Sequence, residues 1–120
     1  MKKIMIVDDD VETLDLLTRI LQKQFDVLTL DDVADFKEGL AQHKPDLIII
    51  DHFIGCSTSK EIIDNFKNQE LFKNVPVIIH SGHEQIEEIA AAANAAGYIR
   101  KPSGIGEIRN YIEKQLGQYQ

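Results

Sequence analysis

The stretch from Leu47 to Asp51 reads LIIID, four apolar side chains that run directly into a carboxylate. An apolar run without polar alternation is typical of a strand that is buried on both faces of a sheet. A second run of this kind, IMIV at residues 4–7, ends in the acids Asp8, Asp9 and Asp10. Two such strands predict a parallel sheet that gathers carboxylates at one edge, the edge where ligands bind in open α/β sheets.

Outward from these two strands, short apolar runs alternate with amphipathic stretches along the whole chain. Further strands are predicted at 27–30, 77–79 and 98–100, and helices at 11–22, 33–42, 58–69 and 84–96. A last helix is predicted from an inner stripe of Ile105, Ile108, Ile112 and Leu116. Five strand–helix units are too few to close an eight-stranded barrel. We therefore expect an α/β fold, a doubly wound five-stranded parallel sheet of flavodoxin-like (βα)5 topology in three αβα layers, with residues 1–120 forming one domain.

Three local signals predict where helices begin and end. Asp32 has the side chain of an N-cap, and Thr58 with Glu61 has the spacing of a capping box. Gly97 follows an alanine-rich stretch and is expected to cap the end of the helix over 84–96.

Composition disfavours several classes of function. The 120 residues carry 13 basic and 20 acidic side chains, a formal net charge of −7, which disfavours direct contact with nucleic acid or anionic lipid. The longest strongly apolar run has four residues, far fewer than a membrane span needs. The single cysteine, Cys56, excludes an internal disulfide and is typical of a cytoplasmic protein.

Chemically reactive side chains follow four of the five predicted strands at the carboxyl edge. Asp8 and Asp9 follow the first, Asp51 the third, Ser81 the fourth and Lys101 the fifth. Clustered carboxylates indicate a hard divalent cation such as Mg²⁺, and a lysine with a hydroxyl indicates a phosphoryl group. A carboxylate can itself accept that group as an acyl phosphate, and the central Asp51 is the candidate.

With these residues in this order, the chain resembles a response-regulator receiver domain of two-component signalling over essentially its full length. The resemblance identifies the acidic pair with Asp8 and Asp9 and the phosphoacceptor with Asp51. It also identifies the hydroxyl with Ser81, the switch aromatic with Tyr98, and the Lys-Pro pair with Lys101-Pro102.

The resemblance implies a signalling switch and not a metabolic enzyme. Asp51 would take a phosphoryl group from a phosphohistidine on a histidine kinase or histidine phosphotransfer protein. Mg²⁺ (or Mn²⁺) would be held by Asp8, Asp9, Asp51 and the main-chain carbonyl of Phe53. Lys101 would pair with the phosphoryl group. Ser81 and Tyr98 would then shift, and this would change the surface of the fourth helix, fifth strand and fifth helix. Phe53 and His83 occupy positions that tune hydrolysis in this family, and we expect Phe53 to shield the acyl phosphate from water.

One segment departs from the family pattern. Residues 51–59 read DHFIGCSTS, in which Gly55 replaces a proline and Thr58-Ser59 replaces Asp-Gly, so we expect a looser loop. This departure keeps open a receiver-like interaction module that is not phosphorylated. A small metal-dependent phosphohydrolase, also built on carboxylates at strand ends, is a second alternative.

Several of these residues also have simpler interpretations. Ser81 could cap the fourth helix, and Tyr98 could be a packing residue. His52, His80 and His83 lie near the same predicted edge and could ligate a transition metal, although their spacing matches no compact zinc motif.

Overall fold

A computed structural model describes residues 1–117. Five strands alternate with five helices: β1 (Lys3–Val7), α1 (Val11–Leu21), β2 (Asp26–Leu30), α2 (Phe36–His43), β3 (Leu47–Ile50), α3 (Ser59–Phe66), β4 (Val77–Ser81), α4 (Ile86–Ala92), β5 (Gly97–Arg100) and α5 (Ile105–Gln115). A two-residue antiparallel hairpin, Phe53–Ile54 with Ser57–Thr58, lies between β3 and α3. None of the described helices combines the length and apolar character that a membrane span requires.

The five strands form one parallel sheet in the order β2-β1-β3-β4-β5, which confirms the predicted doubly wound architecture. Alternate residues of each strand enter different apolar clusters. Met5 and Ile48 belong to the cluster under α2, α3 and α4, whereas Ile4 and Ile49 belong to the cluster under α1 and α5. The uniformly apolar strands therefore reflect a sheet that is covered on both faces.

Three helix predictions need correction. Asp32 does accept a hydrogen bond from the main-chain N–H of Ala34, but the turn it begins is a 3₁₀ turn, and α2 starts only at Phe36. The capping box of Thr58 and Glu61 is present, yet α3 ends at Phe66 and not near Gln69. Ile105 does not belong to the inner stripe of α5, because it lies at the first position of the helix and more than half of it is exposed.

The fourth helix is the largest departure from expectation. It covers only Ile86–Ala92, because Asn94 adopts a positive φ of 57° and ends the helix. The main-chain N–H of Ala95 then bonds the carbonyl of Ala90, 3.0 Å away, and that of Asn94 bonds the carbonyl of Ala91, which is the pattern of a Schellman motif. Gly97 is therefore not a helix cap. It is the first residue of β5.

Gly97 has a different structural role at the edge of the sheet. Tyr111 of α5 lies across β5, and a Cβ on Gly97 would clash with its phenol oxygen. Burial raises the pKa of the Tyr111 phenol above its ordinary value, so the ring covers the edge strand as a neutral group.

Candidate functional site

Three carboxylates meet at the carboxyl edge of the sheet. Asp8 and Asp9 follow β1, and Asp51 follows β3, whose last residue pairs with the last residue of β1 in the parallel register. One oxygen from each acid lies within 4.8 Å of the other two. Asp8 is buried, Asp51 is half-buried and Asp9 is exposed, so the cluster is open to solvent on one side.

Main-chain N–H groups orient each acid. Asp8 accepts from the N–H of Asp10 at 2.9 Å, and Asp51 accepts from the N–H of His52 at 2.8 Å. Asp9 accepts from the N–H of Gly55 at 3.0 Å, which joins the first acidic loop to the hairpin after β3. These main-chain contacts use one oxygen of each carboxylate, and the second oxygen of Asp8 accepts a hydrogen bond from Nζ of Lys101.

Lys101 supplies the positive charge at the site. Its Nζ lies 3.1 Å from an oxygen of Asp8 and 3.7 Å from an oxygen of Asp51. The main-chain N–H of Lys101 bonds the carbonyl of Ser81 at 2.9 Å, so the end of β4 and the residue after β5 are joined beside the acids.

The surroundings of Asp51 raise the pKa of its carboxyl group. Burial raises the pKa of its carboxyl to about 6, and the neighbouring charge of Asp8 adds to that rise. Lys101 and the N–H of His52 oppose the increase, and Asp9 makes a smaller contribution that raises the pKa. A cation bound between the acids would relieve this repulsion, and oxygen donors of high charge are the ligands that Mg²⁺ prefers. The donor set therefore fits a hard divalent cation.

Ser81 lies at the last position of β4 and is buried next to this edge. Its Oγ accepts a hydrogen bond from the main-chain N–H of His83 at 3.2 Å. Ser81 is not the N-cap of α4, because that position is occupied by Gln85, whose side chain makes no capping bond. The serine hydroxyl is thus held at the strand end, on the same edge as Asp51 and Lys101.

Comparison with known proteins identifies the family of this chain. A family model described as the response regulator receiver domain matches residues 4–113. The chain belongs to this family. The site described above lies entirely within the matched residues.

Individual relatives support the family and the fold. A protein-glutamate methylesterase/protein-glutamine glutaminase of Methanospirillum hungatei is 30% identical over 119 residues, which cover 89% of this chain and 32% of that protein. The chain therefore spans about a third of the length of this relative. The chemotaxis protein CheY4 of Vibrio cholerae superimposes with a TM-score of 0.86 at 20% identity, covering 95% of this chain and 98% of that one.

A third similar structure is the receiver domain of the sensor histidine kinase PA1611 from Pseudomonas aeruginosa, described with a magnesium ion coordinated in the active site cleft. It has a TM-score of 0.85 and 18% identity, and covers 97% of this chain and 98% of that one.

The conformation of the segment after Asp51 differs from the one predicted from the sequence. The expected loose loop is instead a hairpin, with Gly55 at a positive φ of 61° in its turn. The N–H of Ser59 bonds the carbonyl of His52 at 2.7 Å, and Ser59 Oγ lies 3.0 Å from Nδ1 of the His52 ring. Together with the bond from Gly55 to Asp9, these contacts anchor both ends of the segment. The sequence alone did not reveal them, although a glycine between two short β-forming pairs is a signal for a hairpin.

The residues predicted to tune hydrolysis lie around the mouth of the site. The side chain of Phe53 is mostly exposed and its ring centroid lies 4.3 Å from that of His52. The rings of His52 and His83 are 5.6 Å apart in an edge-to-face arrangement. The ring of His52, the residue after Asp51, therefore packs against both of the other rings.

His52, His80 and His83, considered above as possible ligands of a transition metal, do not come together in one site. His80 is buried on the face of the sheet that packs against α1 and α5, whereas His52 and His83 lie at the mouth of the acidic site. Within residues 1–117, the set of three or more potential ligands that converges is formed by Asp8, Asp9 and Asp51. Tyr98, the predicted switch aromatic, is half-buried and packs against the cluster that includes α4.

Proposed function

We propose that residues 1–120 form a single receiver domain that accepts one phosphoryl group on Asp51 and acts as a signalling switch. The observation that carries the proposal is the convergence of three carboxylates with a lysine, whose Nζ lies 3.7 Å from Asp51. On this proposal the protein is not an enzyme that turns over a separate substrate. It catalyses only its own phosphorylation and dephosphorylation.

Asp8, Asp9 and Asp51 would hold Mg²⁺ (or Mn²⁺), with Asp8 acting through water and the main-chain carbonyl of Phe53 completing the protein ligands. When bound, the ion supplies positive charge that neutralises the acids and the incoming phosphoryl oxygens. The magnesium ion described for the receiver domain of PA1611 supports this assignment by analogy of fold.

Asp51 would attack as a carboxylate, the form that predominates at pH values above its pKa of about 6. A bond forms between an oxygen of Asp51 and phosphorus while the bond from phosphorus to the imidazole nitrogen of the donor breaks. The donor nitrogen keeps the electron pair of the broken bond. Lys101 would then pair with a phosphoryl oxygen, which a compact ammonium can do in a narrow site. The donor is a phosphohistidine on a histidine kinase or histidine phosphotransfer protein.

The phosphorylated site would signal through Ser81 and Tyr98. The hydroxyl of Ser81 would donate to a phosphoryl oxygen, and Tyr98 would move inward and repack the surface of α4, β5 and α5. The end of β4 is joined to Lys101 through the carbonyl of Ser81, so a shift at Ser81 reaches the residue after β5 directly. A downstream protein would bind the changed surface.

Intact-protein mass after incubation with acetyl phosphate tests the proposal. We expect the gain of one phosphoryl group, which requires Mg²⁺ and is absent in Asp51→Asn. Absence of any gain in a folded protein, with acetyl phosphate and with a phosphorylated histidine phosphotransfer protein, would overturn the proposal and favour the interaction module. Continuous release of phosphate from a phosphate ester would instead indicate the phosphohydrolase.

The lifetime of the phosphorylated form tests the role of Phe53. We expect Phe53→Asn to shorten that lifetime, because a smaller polar side chain admits water beside Asp51. Leu71→Asn, which changes an exposed apolar residue elsewhere, is the matched control and should leave the lifetime unchanged. Equal lifetimes for Phe53→Asn and the unmodified protein would exclude the shielding role.

A further inference from the structure

The loop between β4 and α4, residues 82–85, is tied to the neighbouring strand by one side chain. Arg100 is the last residue of β5 and the parallel partner of Ser81, the last residue of β4. Its Nη1 donates to the main-chain carbonyl of His83 at 3.3 Å and to that of Glu84 at 3.4 Å. The guanidinium group therefore bridges the edge of the sheet to both central residues of the loop.

Main-chain hydrogen bonds fix the strand end from which this side chain extends. The N–H of the next residue, Lys101, bonds the carbonyl of Ser81 at 2.9 Å. The hydroxyl of Ser103 donates to the carbonyl of Arg100. Arg100 therefore reaches the loop from a backbone position that is itself held in place beside the end of β4.

His83 connects Arg100 to the hydroxyl of Ser81. The main-chain N–H of His83 donates to Ser81 Oγ at 3.2 Å, while its carbonyl accepts from Arg100. The same carbonyl accepts from the N–H of Ile86 at 3.2 Å, and the ring Nδ1 of His83 accepts from the N–H of Gln85 at 3.0 Å. A displacement of Ser81 must therefore move His83 with it or break the bond between them.

The contact of Arg100 with the loop has the properties of a restraint that can be released. Hydrogen bonds from a charged donor are stronger than neutral ones. Arg100 is exposed, however, so water competes for its guanidinium group, and binding the loop reduces the rotamer freedom of a long side chain. The distances of 3.3 and 3.4 Å are also longer than those of most N–H···O hydrogen bonds. The net stabilisation of the loop is therefore modest, and a competing interaction of Ser81 can overcome it.

We propose that Arg100 is a positioning residue that holds residues 82–85 against β5 and so opposes the movement of Ser81 toward a phosphoryl group. This inference rests on the proposed function of Asp51, and it adds a residue that the acid–lysine chemistry does not use. Without phosphate, the guanidinium group stabilises the arrangement in which Ser81 binds His83. Phosphorylation would favour a bond from Ser81 to the phosphoryl oxygen, and His83 would leave Arg100. Removal of the guanidinium group should therefore loosen the loop and favour phosphorylation.

Two measurements on the full chain test this role in Arg100→Met. Amide hydrogen exchange of the unphosphorylated protein should become about threefold to tenfold faster at His83 and Ile86, the range for loss of one hydrogen bond. The initial rate of phosphorylation by acetyl phosphate with Mg²⁺ should rise by a similar factor. Arg19→Met, which removes an exposed arginine from the last turn of α1, is the control and should change neither quantity.

The direction of the change in rate separates this role from a simple effect of charge. Loss of a positive charge near the site should slow the reaction with an anionic donor such as acetyl phosphate, whereas release of the loop should accelerate it. Unchanged exchange in the loop, or a rate of phosphorylation that is unchanged or lower, would overturn the inference. Arg100→Gln, which also removes the charge and shortens the side chain, provides the same test if the methionine variant fails to fold.

The two measurements also distinguish failure of this inference from failure of the proposed function. If the unmodified protein takes up no phosphoryl group, the proposed function is overturned. The exchange measurement uses unphosphorylated protein, so it still decides whether Arg100 holds the loop. If the unmodified protein is phosphorylated and Arg100→Met behaves identically, only the role of Arg100 is overturned.

Discussion

Replacing Asp51 by Asn should stabilise the folded protein at pH 8 and should have progressively less effect as the pH falls toward 4. The pKa of the folded carboxyl is raised from 3.8 to about 6, so ionisation is harder in the folded than in the unfolded chain. The protein therefore loses stability as the pH rises through this window, and the neutral amide avoids that loss. The shift corresponds to about 3 kcal/mol, at about 1.4 kcal/mol for each pKa unit.

The side chain of Asp51 is 17% exposed, so solvent screening reduces the expected gain to about 1–2 kcal/mol. Urea unfolding in buffer without divalent cations, at pH 8 and at pH 4.5, measures this gain as a difference in the free energy of unfolding. Asp64→Asn is the control of opposite sign, because the hydrogen bond from Lys60 lowers the pKa of the exposed Asp64 carboxyl. An Asp51→Asn protein that is no more stable than the original at pH 8 would refute the reasoning.

Three further changes test the fold and the site. Gly97→Ala should destabilise the protein by about 1–3 kcal/mol in urea unfolding, because its Cβ would clash with Tyr111 and force that ring away. Lys101→Met should raise the pKa of Asp51 above about 6, measured by carboxyl ¹³C NMR, because the lysine lowers that pKa. Thr58→Ala should lower the free energy of unfolding by about 1 kcal/mol, since it removes the N-cap of α3.

Each of these changes has a matched control. Gly106→Ala adds the same methyl group where nothing lies within 4 Å, and should not destabilise the protein. Lys60→Met removes an exposed lysine that pairs with Asp64, and should leave the titration of Asp51 unchanged. Thr58→Ser keeps the capping oxygen and should retain most of the stability lost in Thr58→Ala. Equal effects of a change and its control would contradict the corresponding explanation.

The sheet and its acidic edge could be predicted because their signals are local. The LIII run of β3 indicates a strand that is buried on both faces, and the acid after it indicates a carboxylate at the end of that strand. Both signals lie within five consecutive residues. The end of α4 could not be predicted from propensity, since the alanines favour a longer helix and the outcome depends on Asn94 in a left-handed conformation. The sheet face to which His80 belongs depends on the exact start of β4, because a shift of one residue reverses the direction of every side chain.

The sheet divides the apolar interior into two clusters, and this division determines how substitutions in the core combine. Met5 and Ile4 are neighbours in sequence, yet they belong to clusters on opposite faces, so a void opened beneath one cannot be filled by side chains from the other. Substitutions on opposite faces are therefore expected to act additively, whereas substitutions within one face should be coupled. Each layer can diverge or be redesigned while the other is held constant. At the carboxyl edge of the sheet, however, changes in the two layers must remain compatible with each other.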